Sequence, residues 1–168
     1  MTILPIRLYP DPVLAAEARE VADINGDLQR LIDDMGATMY QAPGLGLAAN
    51  QVGEPLQVIV FDVSQKEGNP ELQVLINPVL KAGEGEIVHN EGCLSVYDFS
   101  AEVRRYAKVW VTGLDRHGKP VELEADGLLA IVLQHEIDHL KGKLILDHIS
   151  RLKRGLYIRK LKKQAAAK

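Results

Sequence analysis

The histidine pair in the stretch QHEIDHLKG, residues 134–142, is the feature that most restricts how this chain can fold. His135 and His139 are four residues apart, so on a helix they lie one turn apart on the same face, with Glu136 next to them. This spacing is typical of zinc hydrolases. The same short pattern also occurs where both histidines are ordinary core or surface residues, so both interpretations stay open at this point.

The residues around the pair predict a buried helix from 126 to 141, with Gly142 directly after its last turn. A helix that is apolar on two sides is buried, and buried imidazoles need partners. Those partners are either polar groups of the core or a metal ion beside an apolar pocket. One apolar stripe continues the face that carries the histidines and consists of Leu128, Ile131 and Val132. A second stripe is assigned to the core and consists of Leu129, Leu133, Ile137 and Leu140.

Length and composition limit the class of protein. With 168 residues and 46% hydrophobic content, the chain fits one domain, in which residues 1–150 form the body and 151–168 a basic C-terminal helix or tail. The single cysteine excludes an internal disulfide, and the N-terminal residues lack an apolar run followed by a cleavage site. No segment reaches the roughly 20 apolar residues of a membrane span. We therefore expect a cytoplasmic protein.

Charge is distributed unevenly along the chain. Residues 151–168 contain 8 of the 20 basic residues and no acidic residue, so their net charge is about +8. The body keeps 12 basic and 23 acidic residues, so its net charge is about −11. The basic segment either contacts RNA or another polyanion, or forms a solvated helix on the acidic body. No pattern of interleaved aromatic residues marks a base-stacking surface, which slightly favours the solvated helix. Neither DNA nor a membrane is an expected partner.

Hydrophobic periodicity predicts an α+β fold with a largely antiparallel sheet. Residues 25–41 have helical spacing, with Asn25 as the N-cap and Pro43 shortly after the end. Strands bracketed by helices, without regular alternation, favour this fold class. The predicted strands are residues 56–63, 72–80, 86–96 and 102–115, and the segment VELEA after the RHGKP turn is the hairpin partner of the last one.

A third metal ligand is needed if the histidine pair binds a catalytic ion, because open hydrolytic sites usually have three protein ligands. The candidate is Cys93, within EGCLS at residues 91–95. A thiolate and two imidazoles suit borderline-soft metals. A lone cysteine is more often a small buried apolar residue, and this alternative also stays open.

The segment GLGLAANQVG, residues 44–53, matches the spacing of a dinucleotide-binding fingerprint. We reject that interpretation because a helical period precedes the glycines and a strand follows them, which is the reverse of the required order. Alternating glycines in an extended segment allow a second backbone to approach, as when a peptide adds itself as a strand. Gln51 would present its amide to the same cleft.

The three segments GLGLAANQ, EGCLS and QHEIDHLKG, in this order and with these separations, resemble the signature motifs of the peptide deformylase family. The resemblance extends over essentially the whole chain. It implies a fold in which mostly antiparallel sheets pack around a central HEIDH helix, with a C-terminal helix. It also implies hydrolysis of the formyl group from the N-terminal methionine of nascent peptides, with release of formate.

The resemblance further implies a role for each site residue. Cys93, His135 and His139 would bind one divalent metal, Fe²⁺ natively, with Zn²⁺, Ni²⁺ or Co²⁺ able to substitute. Glu136 would transfer protons, and the Gln51 side chain and the Leu94 backbone N–H would stabilise the developing oxyanion. Gly46 would offer its backbone to the peptide. The methionine pocket would be lined by Leu45, Leu128, Ile131 and Val132.

Several positions depart from the pattern or lack a role. Tyr97 replaces the usual proline after EGCLSV, and Ser100 stands where an arginine is frequent, which affects the rim beyond the methionine pocket. Arg105 is predicted to pair with Glu91, the alternative being a solvent-facing strand charge. We expect Trp110 in the core. Three other histidines are not spaced from the motifs in a way that indicates a site role, so we expect them to be surface or structural residues: His89, His117 and His148.

Two competing functions share part of the pattern. A zinc endopeptidase would use HEIDH but would take its third ligand after the helix, where the next histidine, His148, is nine residues away. A non-catalytic, RNA-binding protein could carry a structural metal. A structural site has four protein ligands, and the chain has no second cysteine.

Overall fold

The computed structural model describes residues 1–167, apart from the side chain of Lys66, and has the predicted α+β class. The helices are α1 (Gly26–Gln41), α2 (Gly127–Leu140) and α3 (Arg151–Ala166). The strands are β1 (Gly46–Ala48), β2 (Val58–Phe61), β3 (Gln73–Glu84), β4 (Ile87–Cys93), β5 (Val96–Arg105), β6 (Lys108–Leu114) and β7 (Pro120–Asp126). No helix of the described chain is both long and apolar enough to cross a bilayer.

The strands form two antiparallel sheets. One has five strands in the order β1-β2-β3-β6-β7, and the other is the β4-β5 hairpin. The pairing of β6 with β7 confirms the hairpin predicted at RHGKP. Every residue of β2 is buried, because its alternate side chains face different helices. Ile59 and Phe61 pack in the cluster that contains α2, whereas Val58 and Val60 pack in the cluster that contains α1.

Helix α1 has the limits that its sequence predicts. The Asn25 side chain accepts a hydrogen bond from the Leu28 backbone N–H at 2.9 Å, which satisfies one of the free donors of the first turn. The helix ends at Gln41, two residues before Pro43. Its predicted apolar face is buried against the sheet, with Ile32, Met35 and Met39 fully enclosed.

Helix α2 is central, as expected. Leu133, Ile137 and Leu140 pack into the main core, while the fully buried Ala130 lies one turn earlier. Gly142 has φ +76°, the left-handed conformation that glycine adopts at little cost after a helix. An added Cβ there would lie 2.5 Å from the carbonyl oxygen of residue 15, so this turn also requires the close approach that glycine permits.

The strand boundaries between 86 and 115 differ from the prediction. Residues 94–95 form a turn, so the predicted strand 86–96 is cut short, and the predicted strand 102–115 is divided between β5 and β6. Tyr106 lies in the gap, where its N–H and C=O bond to the Gln134 side chain, both at 2.9 Å. The side-chain amide of Gln134 on α2 thus binds the backbone groups that a neighbouring strand would otherwise bind. Local strand propensity does not predict this arrangement.

The prediction that Trp110 belongs to the core is wrong. Val109 and Val111 are buried, but Trp110 points to the opposite face of β6 and is only half-buried. The Lys108 ammonium lies 5.3 Å from its ring centroid. Alternation along the strand places the tryptophan on the outer face, and its ring is covered by the cation rather than by the core.

Candidate functional site

Three potential metal ligands converge between β4 and α2. Cys93 is the last residue of β4, and His135 and His139 lie one turn apart on α2. The Cys93 Sγ is 3.4 Å from the His139 Nε2, which is 3.2 Å from the His135 Nε2. All three ligand atoms lie within 4.8 Å of one another. One ion can therefore contact a sulfur and two nitrogens.

Contacts around the two imidazoles fit this role. The His135 Nδ1 lies 2.9 Å from the Glu91 carboxylate, so its N–H donates there and the Nε2 keeps its lone pair for the site. The buried His139 Nδ1 has no hydrogen-bond partner in the described part of the chain. The Asn50 amide donates to the His139 backbone carbonyl and fixes this turn of the helix. The donor set thus suits a borderline-soft divalent ion.

The protonation of the two rings follows from their surroundings. Burial lowers the pKa of His139 well below its ordinary value, so this ring is neutral at pH 7. Burial alone would lower the pKa of His135 too, but hydrogen bonds with Cys93 and Glu91 outweigh it and raise the pKa well above its ordinary value. A ligating imidazole must be neutral, so a divalent ion bound here would require His135 to lose any proton on its Nε2.

Glu136 is buried beside the ligands and lacks a full set of partners. Its side-chain Oε1 has no hydrogen bond to any described residue. Burial raises the pKa of Glu136 from 4.5 to about 7. A carboxyl group that titrates near neutral pH suits both uptake and release of a proton. Gly46 makes room for it, since an added Cβ at Gly46 would lie 2.5 Å from the Glu136 Oε2.

Gln51 and the turn after β4 bring polar groups to the same place. Gln51 follows β1 in a short 3-10 helix and is buried. Its amide oxygen accepts from the Ala48 N–H at 2.9 Å, which directs the NH₂ group towards the Ser95 Oγ at 3.0 Å and the Cys93 Sγ at 3.8 Å. Leu94 lies in the turn directly after Cys93. A side-chain amide therefore points towards the sulfur, and a turn begins at the residue after it.

The predicted pair between Arg105 and Glu91 is present and is part of a larger buried network. The Arg105 Nε and Nη2 donate to the two oxygens of Glu91 at 2.9 and 2.8 Å, and its Nη1 donates to Asp138 at 2.5 Å. Burial would raise the pKa of Glu91, but bonds from Arg105 and His135 lower it to about 2. Asp138 also contacts His148 at 2.8 Å, so His148 is a structural residue. The network fixes the carboxylate that orients His135.

A cavity of about 500 Å³ opens at the ligands. The apolar residues predicted for the methionine pocket all line it: Leu45, Leu128, Ile131 and Val132. Gly46 lines it as well and pairs with Phe61 of β2 on one side only, because β1 is the edge strand of its sheet. The cavity therefore combines an apolar wall, a free strand edge and two of the three potential ligands, Cys93 and His135.

His89 also lines this cavity, contrary to the expectation of a surface or structural role. It lies on β4, where alternate residues share a face, and it is in phase with Glu91 and Cys93. Its Nδ1 is buried and has no hydrogen-bond partner among the described residues. The alternation of residues along the strand IVHNEGC is the sequence signal that could have placed His89 on the same face as Glu91 and Cys93. The sequence analysis also missed the structural roles of Asp138 and Asn50, since no local pattern indicates their distant partners.

Comparisons with known proteins agree with this geometry. The family model described as polypeptide deformylase matches residues 3–155. The peptide deformylase of Thermodesulfovibrio yellowstonii is 55% identical over 162 residues, covering 96% of this chain and 98% of that protein. That of Mesorhizobium japonicum is 50% identical over 169 residues, covering 100% and 96%.

Solved structures give the same result. The crystal structure of a peptide deformylase from Legionella pneumophila has a TM-score of 0.91 at 44% identity and covers 99% of both chains. The Ehrlichia chaffeensis enzyme in complex with actinonin has a TM-score of 0.91 at 37% identity and covers 98% of both. The chain therefore belongs to the peptide deformylase family, metal-dependent hydrolases that remove the formyl group from the N-terminal methionine of newly synthesised proteins.

Proposed function

We propose that Cys93, His135 and His139 hold the single divalent ion of this enzyme and that Glu136 transfers the proton of the reaction. The observation that carries the proposal is the convergence of one sulfur and two ring nitrogens within 4.8 Å, at the end of a cavity, next to a buried carboxyl group. When bound, a divalent ion at these residues supplies Lewis acidity, which lowers the pKa of water and polarises a carbonyl oxygen.

Glu136 is suited to act first as base and then as acid. Its buried carboxyl group lies beside the ligands, where it can accept a proton from the attacking water and return it to the departing amine. Its lack of a partner for Oε1 leaves that atom free to bind the water. The low polarity of its surroundings strengthens each of these interactions.

The developing oxyanion needs donors that are already oriented. We assign this role to the Gln51 NH₂ group and the Leu94 backbone N–H, since both lie beside Cys93. Ala48 holds the Gln51 amide oxygen, so the NH₂ group does not have to reorient during the reaction. Loss of one such donor typically lowers kcat by about 10²- to 10³-fold.

The substrate is proposed to bind as an added strand along the free edge of β1. Gly46 would pair with the peptide backbone, as in other complexes in which a peptide extends a sheet. The methionine side chain would occupy the apolar part of the cavity, against Leu45, Leu128, Ile131 and Val132. Backbone pairing gives affinity for any following sequence, and the pocket selects the first residue.

Formate release from formyl-Met-Ala-Ser by anaerobically purified protein tests these assignments. Glu136→Gln should retain the metal, measured by mass spectrometry, and lose most of its turnover. Cys93→Ala should lose the metal itself. An inactive but metal-loaded wild type would refute the site assignment, and a fully active Glu136→Gln variant would refute the proton-transfer role.

For the native ion we propose Fe²⁺, with Zn²⁺, Ni²⁺ or Co²⁺ as substitutes. The thiolate ligand makes an iron site sensitive to oxygen, with Cys93 as the residue that is oxidised. Reconstitution of metal-free protein with each ion under nitrogen, followed by exposure to air, tests this proposal. Loss of activity restricted to the iron form, together with an oxygen adduct on Cys93, is the expected result. Equal loss in the nickel form would contradict it.

We also propose that residues 1–150 are the catalytic body, that residues 151–168 extend the same domain, and that this basic extension contacts ribosomal RNA. Within the described part of α3 only Arg154 and Lys160 pair with carboxylates, and the remaining cations are exposed. Replacement of both Arg159 and Lys162 by glutamate should weaken co-sedimentation with ribosomes without changing turnover of a short peptide. Unchanged sedimentation would refute the contact.

We propose a cytoplasmic location, which fits a thiolate ligand that must stay reduced.

A further inference from the structure

Helix α3 contacts the wall of the active-site cavity chiefly through Tyr157. Tyr157 is 4% exposed and is the only buried residue of this helix. It packs in a cluster with Val96 and Val103 of β5, next to Cys93 and Phe99. The C-terminal helix therefore contacts the strand that follows the metal ligand.

The contacted part of β5 is irregular. Val96 pairs with Cys93, but the next pair joins Ser100 to Gly92, so residues 97–99 form a bulge without partners in the ladder. Asp98 has φ +51°, a left-handed conformation that aspartate tolerates better than most residues but that still favours glycine. Such a conformation persists only where its surroundings impose it.

Contacts from α3 supply those surroundings. The Tyr157 O–H donates to the Tyr97 backbone carbonyl at 2.8 Å, and its ring lies 4.7 Å from the Phe99 ring. The Lys160 ammonium lies 3.0 Å from the Asp98 carboxylate. Asp98 and Phe99 themselves line the active-site cavity. A strained, unpaired wall segment is thus fixed by a helix outside the catalytic body.

We propose that Tyr157 is a positioning residue for substrate binding: it holds residues 97–99 in the shape that completes the peptide site opposite β1. The inference rests on the deformylase activity and deepens it. The basic helix has a second role besides any contact with RNA, since it shapes the cavity from behind. Tyr157 does not itself line the cavity, so its effect should fall on peptide affinity and leave the chemical step unchanged.

Kinetics of Tyr157→Phe on full-length, metal-loaded enzyme test the proposal. This variant keeps the ring and removes only the bond to the Tyr97 carbonyl. The KM for formyl-Met-Ala-Ser should rise about fivefold, the typical value of one hydrogen bond, while kcat and metal content stay within about twofold. Tyr157→Ala should raise KM further. Leu152→Ala, which truncates a 73% exposed side chain of the same helix, is the matched control and should equal the wild type.

Binding of the product peptide Met-Ala-Ser, measured by calorimetry, gives a second readout that does not depend on turnover. Weaker binding by Tyr157→Phe, with an unchanged melting temperature, supports the positioning role. A KM and a product affinity equal to those of the wild type would overturn it. A parallel fall of kcat, metal content and melting temperature would also overturn it, because it would indicate general loss of structure. Failure of the deformylase activity itself would instead appear as an inactive wild type.

Discussion

Replacement of Arg105 by leucine should destabilise this enzyme far more than a typical change of one charged residue. The Arg105 side chain is only 4% exposed, and its three donor groups bind Glu91 and Asp138. Leucine fills much of the same volume but leaves both carboxylates without their cation. Glu91 is 4% exposed at its side chain, so water cannot take the place of the guanidinium.

The expected loss in the free energy of unfolding is about 3–5 kcal/mol, the usual result of removing one partner of a buried ion pair. For a chain of this length each kcal/mol lowers the melting temperature by about 2–4 °C, so a decrease of about 6–20 °C follows. The adjacent Arg104 is the matched control. Its side chain is 79% exposed and lies 3.6 Å from Glu86, so Arg104→Leu should cost about 0.5 kcal/mol or less.

Urea unfolding at pH 7, with both variants at equal metal content, measures the difference. Arg105→Leu should also bind metal about 10- to 100-fold more weakly, because Glu91 orients His135. Adding Asp138→Asn to Arg105→Leu should recover part of the stability, since it removes one of the two carboxylates that lose the guanidinium. A loss in Arg105→Leu no greater than that in Arg104→Leu would refute the argument.

Three further predictions concern single positions. Gly46→Ala should lower kcat about a hundredfold, because the new methyl group lies 2.5 Å from the Glu136 Oε2 and displaces the carboxylate; Gly26→Ala, which meets nothing within 4 Å, should keep full activity. His89→Leu should reduce turnover of formyl-glutamine peptides relative to formyl-methionine peptides about tenfold, because it removes the polar group from the pocket wall; an unchanged ratio would exclude that role. Burial opposes ionisation of Asp62, but hydrogen bonds from a serine, a tyrosine and two backbone N–H groups outweigh it and lower its pKa below 3.8. The ionised Asp62 therefore stabilises the folded chain above the pKa of the unfolded chain, and this stabilisation is lost as the pH falls through the folded-state pKa. In urea unfolding, the difference in the free energy of unfolding between wild type and Asp62→Asn should decrease from about pH 6 to about pH 3. An increase in this difference over the same range would contradict the lowered pKa of Asp62.

Much of the site was predictable because its key residues lie in short, local patterns. The spacing of His135 and His139 places them on one helical face, and period-two alternation places Glu91 and Cys93 on one face of a strand. The same local rules predict the limits of α1, from the cap at Asn25 to the end before Pro43. No local rule predicts that the three motifs lie together in the fold. That expectation came from the resemblance of the three ordered motifs to those of the peptide deformylase family.

Other features depend on partners distant in the sequence. The division of residues 102–115 into two strands follows from the bonds between Tyr106 and Gln134, which are 28 residues apart. His89 acquires its place in the cavity wall, and Trp110 loses its place in the core, through the way strands pack on helices. The contact between the basic helix and the cavity wall could not be inferred from charge, since the hydrogen bond from Tyr157 to the Tyr97 carbonyl joins residues that are 60 positions apart.

The sequence by itself determined the fold class and which residues were candidates for metal binding and proton transfer, because these depend on residue type and on spacing within one helix or strand. Only the tertiary structure decided which carboxylate orients His135, which residues form the wall of the cavity, and what holds the bulge at 97–99. The physical reason is that burial and hydrogen bonding between distant segments depend on how the chain packs, and neither is a property of any local stretch of residues.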